Sequence, residues 1–157
     1  MTRLAALYQH VVIDHNRSPR NYRPVNPHSH HAVGYNPLCG DRVELFLDVY
    51  EGIIRDIGFQ GESCAIATAS ASLLTATLMG RRVDEARSIA RRFNAELEGT
   101  EPPAGVEGLG ELEALLAVRN FPGREKCARL AWRALEAALG GEAALAVTTE
   151  AERSGSG

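Results

Sequence analysis

The chain lacks what several broad functional classes require. No apolar run approaches the roughly 20 residues that cross a bilayer. Residues 1–3 lead straight into a periodic segment rather than a charged leader and apolar core, so no membrane partner and a cytoplasmic location are expected. A formal net charge of -3 over 157 residues supplies no general attraction to nucleic acid. No internal repeat and no compact CxxC pair occur. Cysteine is scarce, and its count of three is odd, which argues against a disulfide framework in a reducing compartment. Lysine is nearly absent: Lys126 alone stands against sixteen arginines, directly before Cys127. Genome composition explains such a bias, so the surviving lysine marks either a position that wants a compact ammonium or chance.

What is present suits a single core. A hydrophobic content of 45% is enough for one domain, and the length is too short to divide comfortably. One domain over residues 1–140 is expected, followed by a small, polar segment over residues 141–157 that reads as a disordered tail. Leu4, Leu7, Tyr8, Val11 and Val12 follow helical spacing and predict a first helix ending near Asn16. Pro19, Pro24 and Pro27 then mark a loop or extended segment. Val43, Leu45, Leu47 and Val49 alternate with Arg42, Glu44, Phe46 and Asp48, and a turn at Glu51-Gly52 leads to Ile53, Ile57 and Phe59, so residues 43–60 predict a β-hairpin. Residues 32–36 predict a third strand. Ser63 reads as the N-cap of a helix over residues 64–79, with Cys64 on its first turn. Further helices are predicted over residues 84–97, 111–118 and 124–139, with a loop over residues 99–110.

The chemistry-bearing stretch is Asn36-Pro37-Leu38-Cys39-Gly40-Asp41, which places a thiol and a carboxylate two residues apart on a tight turn. Cys64 and Cys127 both fall at helix starts, where a thiolate is stabilised by the positive end of the helix. Together with Asp41 the three cysteines would complete a four-ligand site of the kind zinc prefers. Their wide separation in sequence leaves the alternative open that they are three unrelated buried thiols. His28, His30 and His31 read as a solvated loop rather than a metal site, and His10 and His15 as boundary residues of the first helix. Arg81, Arg82, Arg87, Arg91 and Arg92 read as a solvated face in preference to a docking patch.

Three segments, Asn36-Pro37-Leu38-Cys39-Gly40-Asp41, Gly61-Glu62-Ser63-Cys64-Ala65-Ile66 and Arg124-Glu125-Lys126-Cys127-Ala128, resemble the cysteine motifs of the IscU-like iron-sulfur cluster assembly proteins. Leu7-Tyr8, Asp14-His15 and Pro19-Arg20-Asn21 are similar to that family's N-terminal signature, and the resemblance runs from residue 4 to about residue 140 in order. It implies an α+β fold, a small three-stranded antiparallel sheet packed against several helices. It also implies a metal site of Cys39, Asp41, Cys64 and Cys127.

Lys126 stands where the scaffold type of this family has a histidine, and the Leu-Pro-Pro-Val-Lys segment of that type is missing before Cys127. The extra segment around residues 96–111, with Val118-Arg119, Phe121-Pro122 and Trp132, is similar instead to the SufU subgroup. That likeness implies zinc as cofactor, a SufS-type cysteine desulfurase as partner and downstream iron-sulfur assembly proteins as recipients. The alternative is a scaffold carrying iron or a transient iron-sulfur cluster. In the SufU reading Cys39 takes sulfane sulfur while Asp41, Cys64 and Cys127 retain the metal, and Arg124 and Lys126 tune the thiolates or help dock the partner.

Overall fold

The computed structural model describes residues 3–99, 110–140 and 146–147. A first helix, α1 (Arg3–Arg17), is followed by three strands, β1 (His30–Asn36), β2 (Asp41–Tyr50) and β3 (Ile53–Gln60). Then come α2 (Ala65–Leu78), α3 (Val83–Glu98), the short α4 (Glu111–Leu115) with a 3-10 turn over Leu116–Asn120, and α5 (Glu125–Leu139). The three strands form the expected antiparallel sheet, and the two-residue β4 (Ala146–Val147) extends it in parallel at Val33 and Gly34. That short addition was not foreseen; the rest of the stretch read as a disordered tail lies outside the described residues, as do residues 100–109 of the predicted loop.

Period-two alternation works as the sequence predicts. Ala32, Val43, Leu45, Leu47, Ile57 and Phe59 are buried at the sheet's inner face. Against them lie α2 and α5, with Phe93 of α3 tilted over Trp132 of α5 at 5.1 Å between ring centroids. Close contact of α5 with β1 needs Gly34: a Cβ there would meet the Leu130 side chain and carbonyl at 3.1 Å. Ser70 of α2 donates to the Ala128 carbonyl of α5 at 2.6 Å and accepts from the Trp132 indole at 3.1 Å. This buried bridge fixes the two helices whose starts carry Cys64, as the cap of one, and Cys127, on the first turn of the other. Among the described residues no helix is long and apolar enough to cross a membrane.

Several local expectations change. Strand β1 starts at His30, because pairing with Leu47 and Phe46 recruits His30 and His31 into the sheet. The ring of His31 lies 4.9 Å from Phe46, and its Nε2 is 2.6 Å from Glu44 Oε2, so this is a hydrogen-bonded pair on the sheet surface rather than a solvated loop. Burial works most strongly against the Glu44 charge, but the hydrogen bonds from His31 and Gln60 and the nearby Arg42 charge together hold its carboxyl below the usual range. His15 is buried, with Nδ1 2.7 Å from Ser72 Oγ and Nε2 2.8 Å from Glu111, and it ties α1 to α2 and α4. In the arginine cluster, Arg87 donates to the Leu139 carbonyl and Arg81 to the Thr77 carbonyl, so part of that face closes helix ends.

Candidate metal centre

The turn between β1 and β2 is built by backbone chemistry that its sequence supplies. Asn36 is buried; its Oδ1 accepts from the Leu38 N–H at 3.0 Å and its carbonyl from the Gly40 N–H at 2.8 Å. Gly40 has φ +77°, a left-handed conformation that reverses the chain so that Asn36 and Asp41 pair across the strands. Cys39 is thereby left exposed at the tip, while Asp41 is carried into the interior at 4% exposure.

The other two thiols arrive on helices. Cys64 is the N-cap of α2, displacing Ser63 from the role its type predicts: Cys64 Sγ accepts from the Ala67 N–H at 3.4 Å, while Ser63 Oγ turns to Thr68 Oγ1 at 2.9 Å. Cys127 lies on the first turn of α5 and is buried. Donor atoms of Cys39, Asp41 and Cys127 all lie within 4.8 Å of one another. Cys64 is outside that triple but tied to it through its N–H to Asp41 Oδ1 at 2.8 Å, and its thiol interacts electrostatically with that of Cys127.

The electrostatics are those of a crowded anionic pocket. A hydrogen bond from the Cys127 thiol, opposed by burial and helped by the Ala67 N–H, lowers Cys64 to a pKa of about 7. The same bond, with burial and the Cys64 charge, pushes Cys127 up. The helix-terminus argument thus holds for Cys64 as a lesser cause and fails for Cys127, where the neighbouring thiol wins. Desolvation raises Cys39; the Asp41 backbone N–H opposes this, and the Asp41 carboxylate adds to it. Without a cation, therefore, only one of the three thiols is readily ionised near neutrality.

Asp41 Oδ2 is buried and has no hydrogen-bond partner. An uncompensated buried oxygen on a side chain grouped with the Cys39 and Cys127 thiols is costly for a protein on its own and is satisfied by a cation. Three soft sulfur donors and one oxygen suit zinc or iron in preference to calcium or magnesium. The residues therefore fit such a metal.

Of the four residues expected as ligands, Cys39, Asp41 and Cys127 have donor atoms grouped together, and Cys64 adjoins them through its N–H bond to Asp41. Arg124 caps α5 and is exposed, and its charge reaches the buried phenol of Tyr8, while Lys126 is half-buried beside Cys127. Tyr8 itself was missed as a site residue. Burial raises its pKa, Arg124 opposes the rise, and the Cys127 and Cys64 charges add to it, while its ring stacks on Phe121 at 5.6 Å. Its helical spacing on α1 marked it as core, and nothing local in the sequence connects it with thiols on α2 and α5. A second group, Asp14, His15 and Glu111, also has donors within 4.8 Å, but His15 has both nitrogens engaged and Asp14 is paired with Arg20 at 2.8 Å.

Comparison with known proteins gives a consistent picture. The family model for the NifU-like N terminal domain matches residues 7–140. A zinc-dependent sulfurtransferase SufU of Bacillus subtilis (strain 168) is 40% identical over 133 residues, spanning 85% of this chain and 89% of that protein. An iron-sulfur cluster assembly scaffold protein IscU of Streptococcus pyogenes serotype M1 is also 40% identical, over 140 residues, spanning 88% and 86%. Among solved structures, a candidate iron-sulfur cluster assembly scaffold for the SUF system from Fervidobacterium islandicum AW-1 superposes with a TM-score of 0.78 at 28% identity. It spans 85% of this chain and 97% of that one.

Proposed function

This chain belongs to the NifU-like N-terminal domain family of iron-sulfur cluster assembly proteins, and we propose that within it the protein is a SufU-type, zinc-dependent sulfur acceptor. Its donor is a SufS-type cysteine desulfurase, and downstream iron-sulfur assembly proteins receive the sulfur. One observation carries the reading: Cys39 is exposed on a turn while Cys64, Cys127 and Asp41 are recessed behind it. Such a split separates a sulfur that a partner can reach from donors that hold a metal.

In this reading Asp41, Cys64 and Cys127, with Cys39, are the residues that would hold zinc. Zinc bound there supplies the positive charge that keeps the thiols ionised in a pocket that otherwise protonates two of them. The chain's own residues do the rest. The Cys39 thiolate attacks the outer sulfur of the desulfurase persulfide, forming a new S–S bond as the bond between that sulfur and the desulfurase cysteine breaks. The desulfurase cysteine leaves as a thiolate with the electron pair, and Cys39 becomes the persulfide, so no oxidant or reductant is consumed. Asn36 and Gly40 hold the turn that presents Cys39, and Arg124 and Lys126 provide positive charge at the rim for the thiolates or the partner.

A Cys39→Ser variant is expected to lose all stimulation of a SufS-type desulfurase, measured as alanine release with and without the protein, while keeping its fold. Unchanged stimulation would rule Cys39 out as acceptor. A scaffold function is the second reading, favoured by the equal identity to the IscU-named relative. It predicts a coloured protein that assembles a cluster anaerobically and passes it to an apo-acceptor, whereas the sulfur-acceptor reading predicts about one colourless zinc per chain.

A further inference from the structure

The residue before Cys39 is a leucine on the most solvent-exposed part of the site. Leu38 is 77% exposed, more than any other large apolar side chain among the described residues. A single exposed leucine is ordinary on a protein surface. This one differs in being held: its own N–H bonds to Asn36 Oδ1, and Asn36 is itself buried. The turn is thus closed from inside by backbone and Asn36 contacts, and the leucine side chain contributes little to closing it.

Sulfur transfer constrains what must cover that side chain. The donor and acceptor sulfurs come within about 2 Å as the new S–S bond forms, and consecutive Cα atoms are only about 3.8 Å apart. Whatever protein hands sulfur to Cys39 therefore comes close to Leu38 as well. A polar residue could enter a wet or polar surface there, whereas a leucine gains only where the receiving surface is apolar. Phe121, 45% exposed, is a further exposed apolar side chain, stacked on the Tyr8 ring whose phenol senses the Cys127 and Cys64 charges.

We propose that Leu38 is the docking anchor of the transfer complex, an apolar plug that seats in an apolar recess beside the persulfide of the donor desulfurase. This rests on the sulfur-acceptor reading and adds to it the character of the partner's surface. Leu38 positions Cys39 by fixing the encounter and takes no part in the bond exchange.

The test is a titration of the zinc-loaded protein into a SufS-type desulfurase, with Leu38→Ser, Leu38→Asp, Leu38→Met and Cys39→Ser compared with the unaltered chain. Leu38→Ser is expected to raise the concentration giving half-maximal stimulation about tenfold, the scale of one buried leucine. Leu38→Asp raises it further, and Leu38→Met stays within about twofold because a hydrophobe of similar volume remains. Zinc content, melting temperature and the rate at which iodoacetamide alkylates Cys39 stay as in the unaltered protein. If Leu38→Ser and Leu38→Asp titrate like the unaltered chain while Cys39→Ser is inactive, the anchor is wrong and the sulfur-acceptor reading stands. If the unaltered protein does not stimulate the desulfurase at all, both fall.

Discussion

Two thiols in one hydrogen bond cannot both behave as helix-terminus thiolates. Each of Cys64 and Cys127 opens a helix, and from sequence each looks equally activated. Folded, they are opposed: the Cys127 thiol lowers Cys64 to a pKa of about 7, and the same interaction pushes Cys127 up. The sign is simple. A Cys64 pKa below its ordinary value means that in the metal-free protein its thiolate is half-populated near pH 7 instead of near pH 9. Alkylation of Cys64 by iodoacetamide, followed by mass spectrometry after zinc removal, should therefore rise through an inflection near pH 7. In Cys127→Ala, where the leading cause is deleted, that inflection should move upward. An inflection near pH 9 in the unaltered chain would contradict the thiol pair. At this scale the nearness of Cys39, Asp41 and Cys127 was suggested by the sequence, because cysteines are few and Asp41 shares a turn with one. The roles of Tyr8 and the proton order of the thiols were not, since both depend on contacts between elements far apart in sequence.

Elements show the same division between local pattern and distant partner. Strand alternation and helical spacing located every main element of the described chain, because each needs only its own buried face. Boundaries moved where another element intervened: β1 begins early because β2 pairs with it, and α2 is capped by Cys64 because Ser63 finds Thr68. The Ser70 bridge belongs here too. Its hydroxyl serves both the Ala128 carbonyl and the Trp132 indole in a fully buried seam between α2 and α5. Ser70→Ala strands a buried acceptor and a buried donor, each costing about 1–3 kcal/mol. Equilibrium urea unfolding should show a loss of about 2–3 kcal/mol with an unchanged m-value, and zinc affinity should fall as the starts of the two helices lose their fixed relation. A stability within about 0.5 kcal/mol of the unaltered chain would show that the bridge is replaceable by water or repacking.

For the molecule as a whole, the site is a junction, and that gives metal binding a mechanical meaning. In the proposed site the donors come from the β1–β2 turn and the first turn of α5, with the cap of α2 tied to them through Asp41, so a metal held there would join the sheet to both helices packed on it. The α+β architecture was legible without that junction, since the core of Leu45, Ile57, Phe59, Leu74 and Trp132 closes without it. The junction itself was not readable from spacing, because no short motif brings the three cysteines together. It follows that a metal here stabilises an already folded chain rather than creating the fold, and that its removal shifts the melting temperature without abolishing the transition. Free zinc at about 100 times its dissociation constant adds about 2.7 kcal/mol. At about 2–4 °C per kcal/mol for a chain of this size, chelation should lower the melting temperature by roughly 5–10 °C. Asp41→Ala removes the buried carboxylate and its bond to the Cys64 N–H, so this variant should start lower and respond little to the chelator. Calorimetry of both proteins with and without chelator decides the matter. Equal melting temperatures for the loaded and stripped unaltered chain would mean that these four residues do not bind a metal tightly, whereas complete loss of cooperative unfolding on stripping would mean that the core does not close on its own.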